Sequence, residues 1–230
     1  MTSKIDFQVF LPQAAMQLAG WDAAFPPGQR ELLAKPEIIR KVVKNSYVDG
    51  YWRIRRTTPL ILAAIGAFDE AGDRESVMFW SEHLSEEGGH DLVMYDDLES
   101  MFGGPDAVRN ILQQRPILPP SAALVGYFEW QIAHNNAHLL IVLRLLLEWL
   151  FSNMSDGQVR VIEELVPGGS RTMRLHREAD QGHVEPCYDY VRRNFSVSDD
   201  VALAWSLNFA VQCLRESQIW IAREILGPTH

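Results

Sequence analysis

Cysteine is scarce in this sequence, which contains only Cys187 and Cys213 among its 230 residues. Two cysteines cannot build a disulfide framework, and neither belongs to a C-x-x-C spacing. A long apolar run is missing too. The run that most resembles a membrane span, 137–151, includes Arg144 and Glu148. It is also shorter than the roughly 18–20 apolar residues that are needed to cross a bilayer. Because the start of the chain also lacks a signal-peptide pattern, we expect a cytoplasmic protein with no membrane span.

Basic residues are fewer than acidic ones: the chain has 21 Lys and Arg residues and 30 Asp and Glu residues, so its formal net charge is −9. Such an average field repels polyanions, so no nucleic-acid partner is predicted. The short basic group Arg53, Arg55 and Arg56 is interpreted as a solvated helix face. The hydrophobic and charged fractions, 47% and 22%, exclude a disordered or fibrous protein.

Strand-type alternation with hairpin turns is almost absent, whereas apolar residues recur at helical spacing along most of the chain. The sequence therefore predicts one all-α domain over residues 1–230, built from seven or eight helices, with 1–28 as an N-terminal segment packed on it. Turn and capping residues give the predicted helices these approximate bounds: 30–56, 57–71, 73–102, 106–114, 121–153, 155–166 and 171–194, with a last helix that starts at 196–200 and ends at 227–228.

The first motif with chemical content is the segment 83–91, HLSEEGGHD. On one helix, Glu87 and His90 share a face, and an inward-facing Glu-x-x-His pair is a spacing that di-metal sites of helical bundles use. Gly88 and Gly89 inside a helix cost about 1 kcal/mol each relative to alanine, which suggests close backbone approach or local unwinding. The alternative is that the helix breaks at Gly88 and separates the pair.

The second motif is the segment 176–183, which contains His176, Asp180 and His183. On a helix these three side chains lie within roughly 60° of one another. Two imidazoles and a carboxylate on one face form a typical set of metal ligands. The alternative is an exposed polar helix face, which is common for an aspartate and less common for two histidines.

The third element is Glu148, which follows three leucines in a strongly apolar helix. A buried carboxylate needs a partner. Arg144, one turn earlier, would provide an ordinary ion pair, and a metal ion would provide a stronger one. Together the three segments supply three carboxylates and three imidazoles, a mixed set that suits two iron or manganese ions better than a structural zinc ion.

The combined pattern resembles the heme-oxygenase-like di-iron oxidases and oxygenases. The resemblance rests on H-x-x-E-E-x-G-H at 83–90, a Leu-Glu late in a long apolar helix, and H-x-x-x-D-x-x-H at 176–183. It implies a heme-oxygenase-like helical bundle that holds two Fe2+ ions and uses O2 as cosubstrate. The metal ligands that it implies are Glu87, His90, Glu148, His176, Asp180 and His183. Some members have a Glu seven residues before the histidine that corresponds to His90, where this chain has His83.

The resemblance also implies a small-molecule substrate, with amino acids, amines and fatty acids as the classes on which members act. N-oxygenation, desaturation and carbon–carbon cleavage are the reactions of the family, and one member forms a nitrile from a halogenated tryptophan. We expect an amino-acid-derived substrate, an external reductant as a further partner, and a homodimer as one assembly compatible with the fold.

Several conspicuous residues have less specific interpretations. His83 and Glu86 are either hydrogen-bond partners that orient metal ligands or exposed residues. His134 and His138 share a helix face and are interpreted as polar core positions, with a functional role near the site as the alternative. Asp96 and Asp97 are interpreted as part of a solvated helix face.

Two alternative functions stay open at this point. One is a metal-independent, thiaminase-like hydrolase on the same scaffold, for which Cys187 is the candidate nucleophile. The other is a non-catalytic helical protein that binds a ligand.

Overall fold

The computed structural model describes residues 5–179 and 182–227, and almost all of them are helical. No β-strand occurs in these ranges, so the all-α prediction is confirmed. The α-helices are α1 (Phe7–Ala19), α2 (Pro27–Leu33), α3 (Pro36–Glu70), α4 (Arg74–Glu87), α5 (His90–Phe102), α6 (Pro105–Gln114), α7 (Pro119–Ala133), α8 (Leu140–Ser152), α9 (Asp156–Leu165), α10 (Arg171–Ala179), α11 (Val184–Asn194) and α12 (Asp200–Leu226).

The described ranges contain twelve α-helices rather than seven or eight. Three of the long predicted helices are each divided in two, and α1 and α2 precede α3 where no separate helices were predicted. The predicted helix 73–102 breaks at Gly89, where φ is +93°. The predicted helix 121–153 breaks near Asn135, which has a φ of +62°. Positive φ values cannot continue a right-handed helix. The predicted helix 171–194 is divided into α10 and α11.

One predicted boundary is absent from the structure. Thr57 and Pro59 were expected to start a new helix, yet both lie inside the continuous helix α3. The residues that follow, Leu60 and Ile61, are buried in the main core. Their packing continues the inward face of α3, and tertiary packing of this kind overrides a local start signal.

The core lies between the long helices α3 and α12 and the shorter helices α4, α7, α8 and α11. Their largest fully buried side chains are Ile61, Trp80, Phe128, Leu145, Tyr190 and Leu207. Helix α1 adds Phe7 and Leu11 to the same core. Because the loop between α3 and α4 is only three residues long, the two helices run side by side in opposite directions, which places the end of α4 beside the middle of α3.

In the described ranges no single helix is long and apolar enough to span a bilayer. The segments Ala137–Ser152 and Asp156–Leu165 meet the criteria of length and composition only as a pair, and they are bent by 87° relative to each other.

Candidate metal centre

The junction of α4 and α5 brings the first predicted pair of ligands together. Glu87 is the last residue of α4 and His90 is the first residue of α5, so the helix does break between them. Gly89 adopts the left-handed conformation in which alanine is strained. The turn nevertheless keeps the two side chains in contact, because Glu87 Oε2 lies 3.0 Å from His90 Nδ1. Glu87 and His90 therefore stay in contact, although a helix break between them was expected to separate the pair.

Helices α8 and α10 add two buried groups, Glu148 and His176, which are 4% and 6% exposed. His176 Nδ1 donates a hydrogen bond to the carbonyl oxygen of Thr172 at 2.8 Å. Because Nδ1 carries the proton, the Nε2 lone pair is available to a cation. The ring of His176 packs edge-on against that of His90, with centroids 4.7 Å apart.

These side chains form two groups of three that could each hold a metal ion. Potential ligand atoms of Glu87, His90 and His176 lie within 4.8 Å of one another, and so do those of His83, Glu87 and Glu148. Glu87 belongs to both groups. His83 was not among the predicted ligands, yet it is 4% exposed and lies one turn before Glu87 on the same helix. Its i, i+4 spacing to Glu87 is the signal that could have identified it.

The last motif histidine also reaches the cluster. His183 Nδ1 lies 3.2 Å from Glu148 Oε2, and its Nε2 lies 3.6 Å from Glu86 Oε1. Asp180, the remaining predicted ligand, lies outside the described residues. Every predicted ligand inside the described ranges therefore belongs to one contiguous cluster, and their role as metal ligands stays a prediction.

The electrostatics of the cluster favour neutral imidazoles at His83 and His176 beside a deprotonated Glu87. At His90, burial also opposes the charged form, but the hydrogen bond to Glu87 and the charge of that carboxylate raise the pKa. Burial, with a contribution from the nearby Arg144 guanidinium, lowers the pKa of His83 to about 3. Burial likewise lowers the pKa of His176. For Glu87, burial acts in the opposite direction, but the hydrogen bond from His90 and the neighbouring imidazoles hold its pKa at about 2. Deprotonated carboxylates and neutral imidazoles are the forms that bind metal ions.

The ion pair anticipated between Arg144 and Glu148 exists and is buried, with Arg144 Nε 3.2 Å from Glu148 Oε1. It does not satisfy the whole cluster. His83 Nδ1 and Glu86 Oε2 are buried and have no hydrogen-bond partner among the described residues. Buried polar atoms are rarely left unpaired in proteins. Nitrogen and oxygen atoms that could act as metal ligands, and that face one another without hydrogen bonds, form an arrangement that fits a cation site.

A cavity of about 420 Å³ adjoins the cluster. His83, Glu87, Glu148 and His176 form part of its wall, and most of the remaining lining is apolar. Its volume falls in the range of small-molecule binding sites, roughly 300–1,000 Å³. The inner face of α3 contributes lining residues from Ile39 to Ile61, so the cavity is elongated along that helix.

The other conspicuous histidines do not belong to the cluster. His134 is exposed, and its ring stacks on that of Trp130 with centroids 4.0 Å apart. His138 Nδ1 lies 2.8 Å from the hydroxyl oxygen of Tyr190, and its Nε2 lies 3.7 Å from a carboxylate oxygen of Asp73. Neither histidine is among the described residues that line the cavity.

Comparison with known proteins bears on the fold alone. No family model matches the chain, and no curated protein matches it. A crystal structure from Shewanella denitrificans OS217, of a domain of unknown function with a heme oxygenase-like fold, superposes with a TM-score of 0.75 at 17% sequence identity. The match covers 96% of this chain and 94% of that domain. The chain therefore has a heme oxygenase-like fold in a single domain, which confirms the predicted fold.

Proposed function

We propose that the protein is a non-heme di-iron oxidoreductase that activates O2 and oxidises a small, amino-acid-derived molecule. The observation that carries this proposal is the pair of adjoining donor groups that share Glu87 at the wall of an apolar cavity. A dinuclear site needs two neighbouring ligand sets, and a mixture of carboxylate and imidazole donors suits iron, with manganese as the second choice.

The side chains that would hold the two ions are Glu87, His90, Glu148, His176 and His183, together with the predicted ligand Asp180. His83 is an additional candidate because it belongs to one of the donor groups. Once bound, iron supplies the oxidation chemistry with O2, for which N-oxygenation, desaturation, carbon–carbon cleavage and nitrile formation are the candidate outcomes. An external reductant is the partner that would supply electrons.

The protein's own residues contribute position and environment. The carbonyl oxygen of Thr172 fixes the ring orientation of His176, as outer partners of metal ligands do. The Arg144 guanidinium holds Glu148 in place and lies 4.7 Å from the centre of the Phe79 ring. The apolar lining of the cavity keeps bulk water away from the reacting atoms.

The metal-independent hydrolase receives less support from the geometry. Cys187, its candidate nucleophile, is fully buried in the main hydrophobic core. Burial raises the pKa of the other thiol, Cys213, to about 11, which opposes formation of the thiolate. No cysteine occurs among the described residues that line the cavity.

Metal analysis tests the proposal and separates it from a non-catalytic binding protein. The full-length protein is reconstituted with Fe2+ under anaerobic conditions, its iron content is measured, and O2 consumption is then followed with candidate amino acids. We expect about two iron ions per chain, as carboxylate-bridged helical sites hold, and O2 consumption that depends on iron and is stimulated by a substrate.

The variant His176→Ala should lose iron and O2 consumption while keeping its helical circular dichroism. His134→Ala is the matched control, because His134 is exposed and lies outside the cluster. Wild-type iron content in His176→Ala, or O2 consumption by metal-free protein, would contradict the proposal.

A further inference from the structure

We propose that Arg53 is an anion-binding residue of the cavity and that the cavity takes an apolar monocarboxylate, with its carboxylate at Arg53. The reaction of such a molecule rests on the proposed di-iron function, whereas its binding does not. Arg53 lines the same cavity as Glu87 and His176, and the ligand would therefore lie between an anchoring cation and the metal-binding cluster.

The first argument is that the guanidinium of Arg53 is fixed in place. Its Nη1 donates to Asp49 Oδ2 at 2.6 Å and to Ser121 Oγ at 2.8 Å. Asp49 is 3% exposed and Ser121 is fully buried, so these partners come from the rigid interface of α3 and α7. A guanidinium that is already ordered loses little further side-chain entropy when it binds an anion.

The second argument is that Arg53 has donors left for a ligand. Only its Nη1 donates a hydrogen bond to a described residue, which leaves Nε and Nη2 available. Nη2 lies over Gly50, where a Cβ would be 3.8 Å from this nitrogen and 3.3 Å from the methyl group of Met94. Gly50, Arg53 and Met94 all line the cavity, so this edge of the guanidinium borders on it, and a side chain at Gly50 would crowd the methyl group of Met94.

The third argument concerns charge. Asp49 does not depend on Arg53 alone, because it also accepts hydrogen bonds from the Ser121 hydroxyl at 2.6 Å and from the Leu118 backbone N–H at 3.2 Å. The other arginine among the described lining residues is Arg144, which is bound to Glu148. Arg53 is thus the lining cation whose open edge suits the planar, bidentate recognition of a carboxylate.

The position of Arg53 gives the ligand its direction. Gly50 contacts Met94, which lies one turn after His90 on α5. Arg53 is three residues further along α3, about 4.5 Å at the helical rise per residue, and therefore stands near the level of the metal-binding residues. The guanidinium of Arg53 is hydrogen-bonded to residues of α3 and α7, whereas the residues of the metal-binding cluster lie on α4, α5, α8 and α10. Most of the other residues that line the cavity are apolar, with Leu60, Leu124, Leu147 and Phe151 among them.

Ligand binding to the metal-free, full-length protein tests the inference. Isothermal titration calorimetry would measure dissociation constants for octanoate and indole-3-propionate, and for the matched carboxamides of both. Charge-assisted hydrogen bonds to Arg53 should make at least one carboxylate bind about ten-fold or more tightly than its carboxamide. The variant Arg53→Gln should abolish that preference.

Arg56→Gln is the matched control, because Arg56 lies on the same helix, is half exposed and pairs with the exposed Glu129. It removes the same charge and should leave the dissociation constants unchanged. If Arg53→Gln unfolds because Asp49 loses a partner, the double variant Asp49→Asn/Arg53→Gln is used in its place, because it restores a neutral hydrogen-bonded pair.

Three results would overturn the inference: no probe binds, a carboxamide binds as tightly as its carboxylate, or folded Arg53→Gln retains the preference. Iron uptake is measured in a separate experiment. Carboxylate binding without iron uptake would support the anchor and contradict the di-iron function, whereas iron uptake without carboxylate preference would do the reverse.

Discussion

The conformation of Gly89 makes a quantitative prediction for alanine substitution. Its φ is +93°, and a Cβ built on it meets no atom within 4 Å. The cost of Gly89→Ala is therefore backbone strain alone, because no steric clash adds to it. Left-handed backbone costs an L-residue about 1–2 kcal/mol, and the reduced entropy of the unfolded chain returns about 0.4–1 kcal/mol. We expect a net loss in the free energy of unfolding of about 1 kcal/mol.

Gly88 supplies the control on the neighbouring residue. Its φ of −60° and ψ of 114° are open to any L-residue. A Cβ there would lie 3.4 Å from the carbonyl oxygen of Leu84, an ordinary contact. Gly88→Ala should therefore stay within about 0.5 kcal/mol of wild type or be slightly more stable. Urea denaturation of the metal-free proteins, followed by circular dichroism, measures both changes.

The same pair of variants tests whether the turn positions the proposed metal-binding groups. Relief of the strain at Gly89 requires a different turn, which would move His90 away from Glu87. Gly89→Ala should therefore weaken Fe2+ binding in an anaerobic titration, and Gly88→Ala should not. If both alanine variants matched wild type in stability and iron affinity, the left-handed turn would have no role in holding the pair.

Two further predictions concern buried charges. Asp97→Asn should lower the free energy of unfolding by about 1–3 kcal/mol, because the fully buried Asp97 accepts hydrogen bonds from the first two N–H groups of α10. Asp96→Asn, at the exposed neighbouring residue, is the control. Equal losses of stability in the two variants would contradict the prediction. Arg144→Met should destabilise the metal-free protein by about 3 kcal/mol or more, since Glu148 keeps a buried charge. Arg177→Met, at a solvent-exposed ion pair, should cost less than about 1 kcal/mol, and a similar loss in both arginine variants would refute the argument.

The sequence predicted those parts of the fold and site that depend on local spacing. Helical periodicity gave the all-α class, and Ser155 is the N-cap of α9 with a complete capping box to Gln158, as its position before that helix suggests. The close contact of Glu87 and His90 also follows from a spacing of three residues. Local spacing did not predict that a left-handed glycine would preserve this contact across two helices.

Asp97 illustrates what local patterns miss. Together with Asp96 it was interpreted as a solvated helix face, and for Asp97 that interpretation was wrong, because its side chain is fully buried. Its partners are the backbone N–H groups of Arg171 and Thr172, more than seventy positions along the chain. A contact of this kind exists only after α5 and α10 pack together, so no window of sequence could reveal it. This contact bears on the proposed metal site, since α10 carries His176.

The alternatives at Glu148 prove not to exclude each other. The sequence offered either an ion pair with Arg144 or a metal ion, and the structure contains the ion pair. Glu148 also lies 3.2 Å from His183 Nδ1 and 3.8 Å from His83 Nδ1. With Glu86 and Glu87, the cluster holds three formally negative carboxylates against one guanidinium.

The imidazoles of His83 and His176 do not correct this imbalance, since burial lowers the pKa of both. The pKa of His90 is raised despite its burial, because its ring is hydrogen-bonded to Glu87, so this histidine offsets part of the charge of that carboxylate. Excess negative charge removed from water must be compensated by cations. Arg144 supplies part of the compensating positive charge and holds Glu148 in place. The remaining negative charge of the carboxylates favours cation binding at Glu87, which belongs to both groups of potential ligands. On this argument the arginine and the proposed metal ions would be complementary partners of one buried carboxylate cluster.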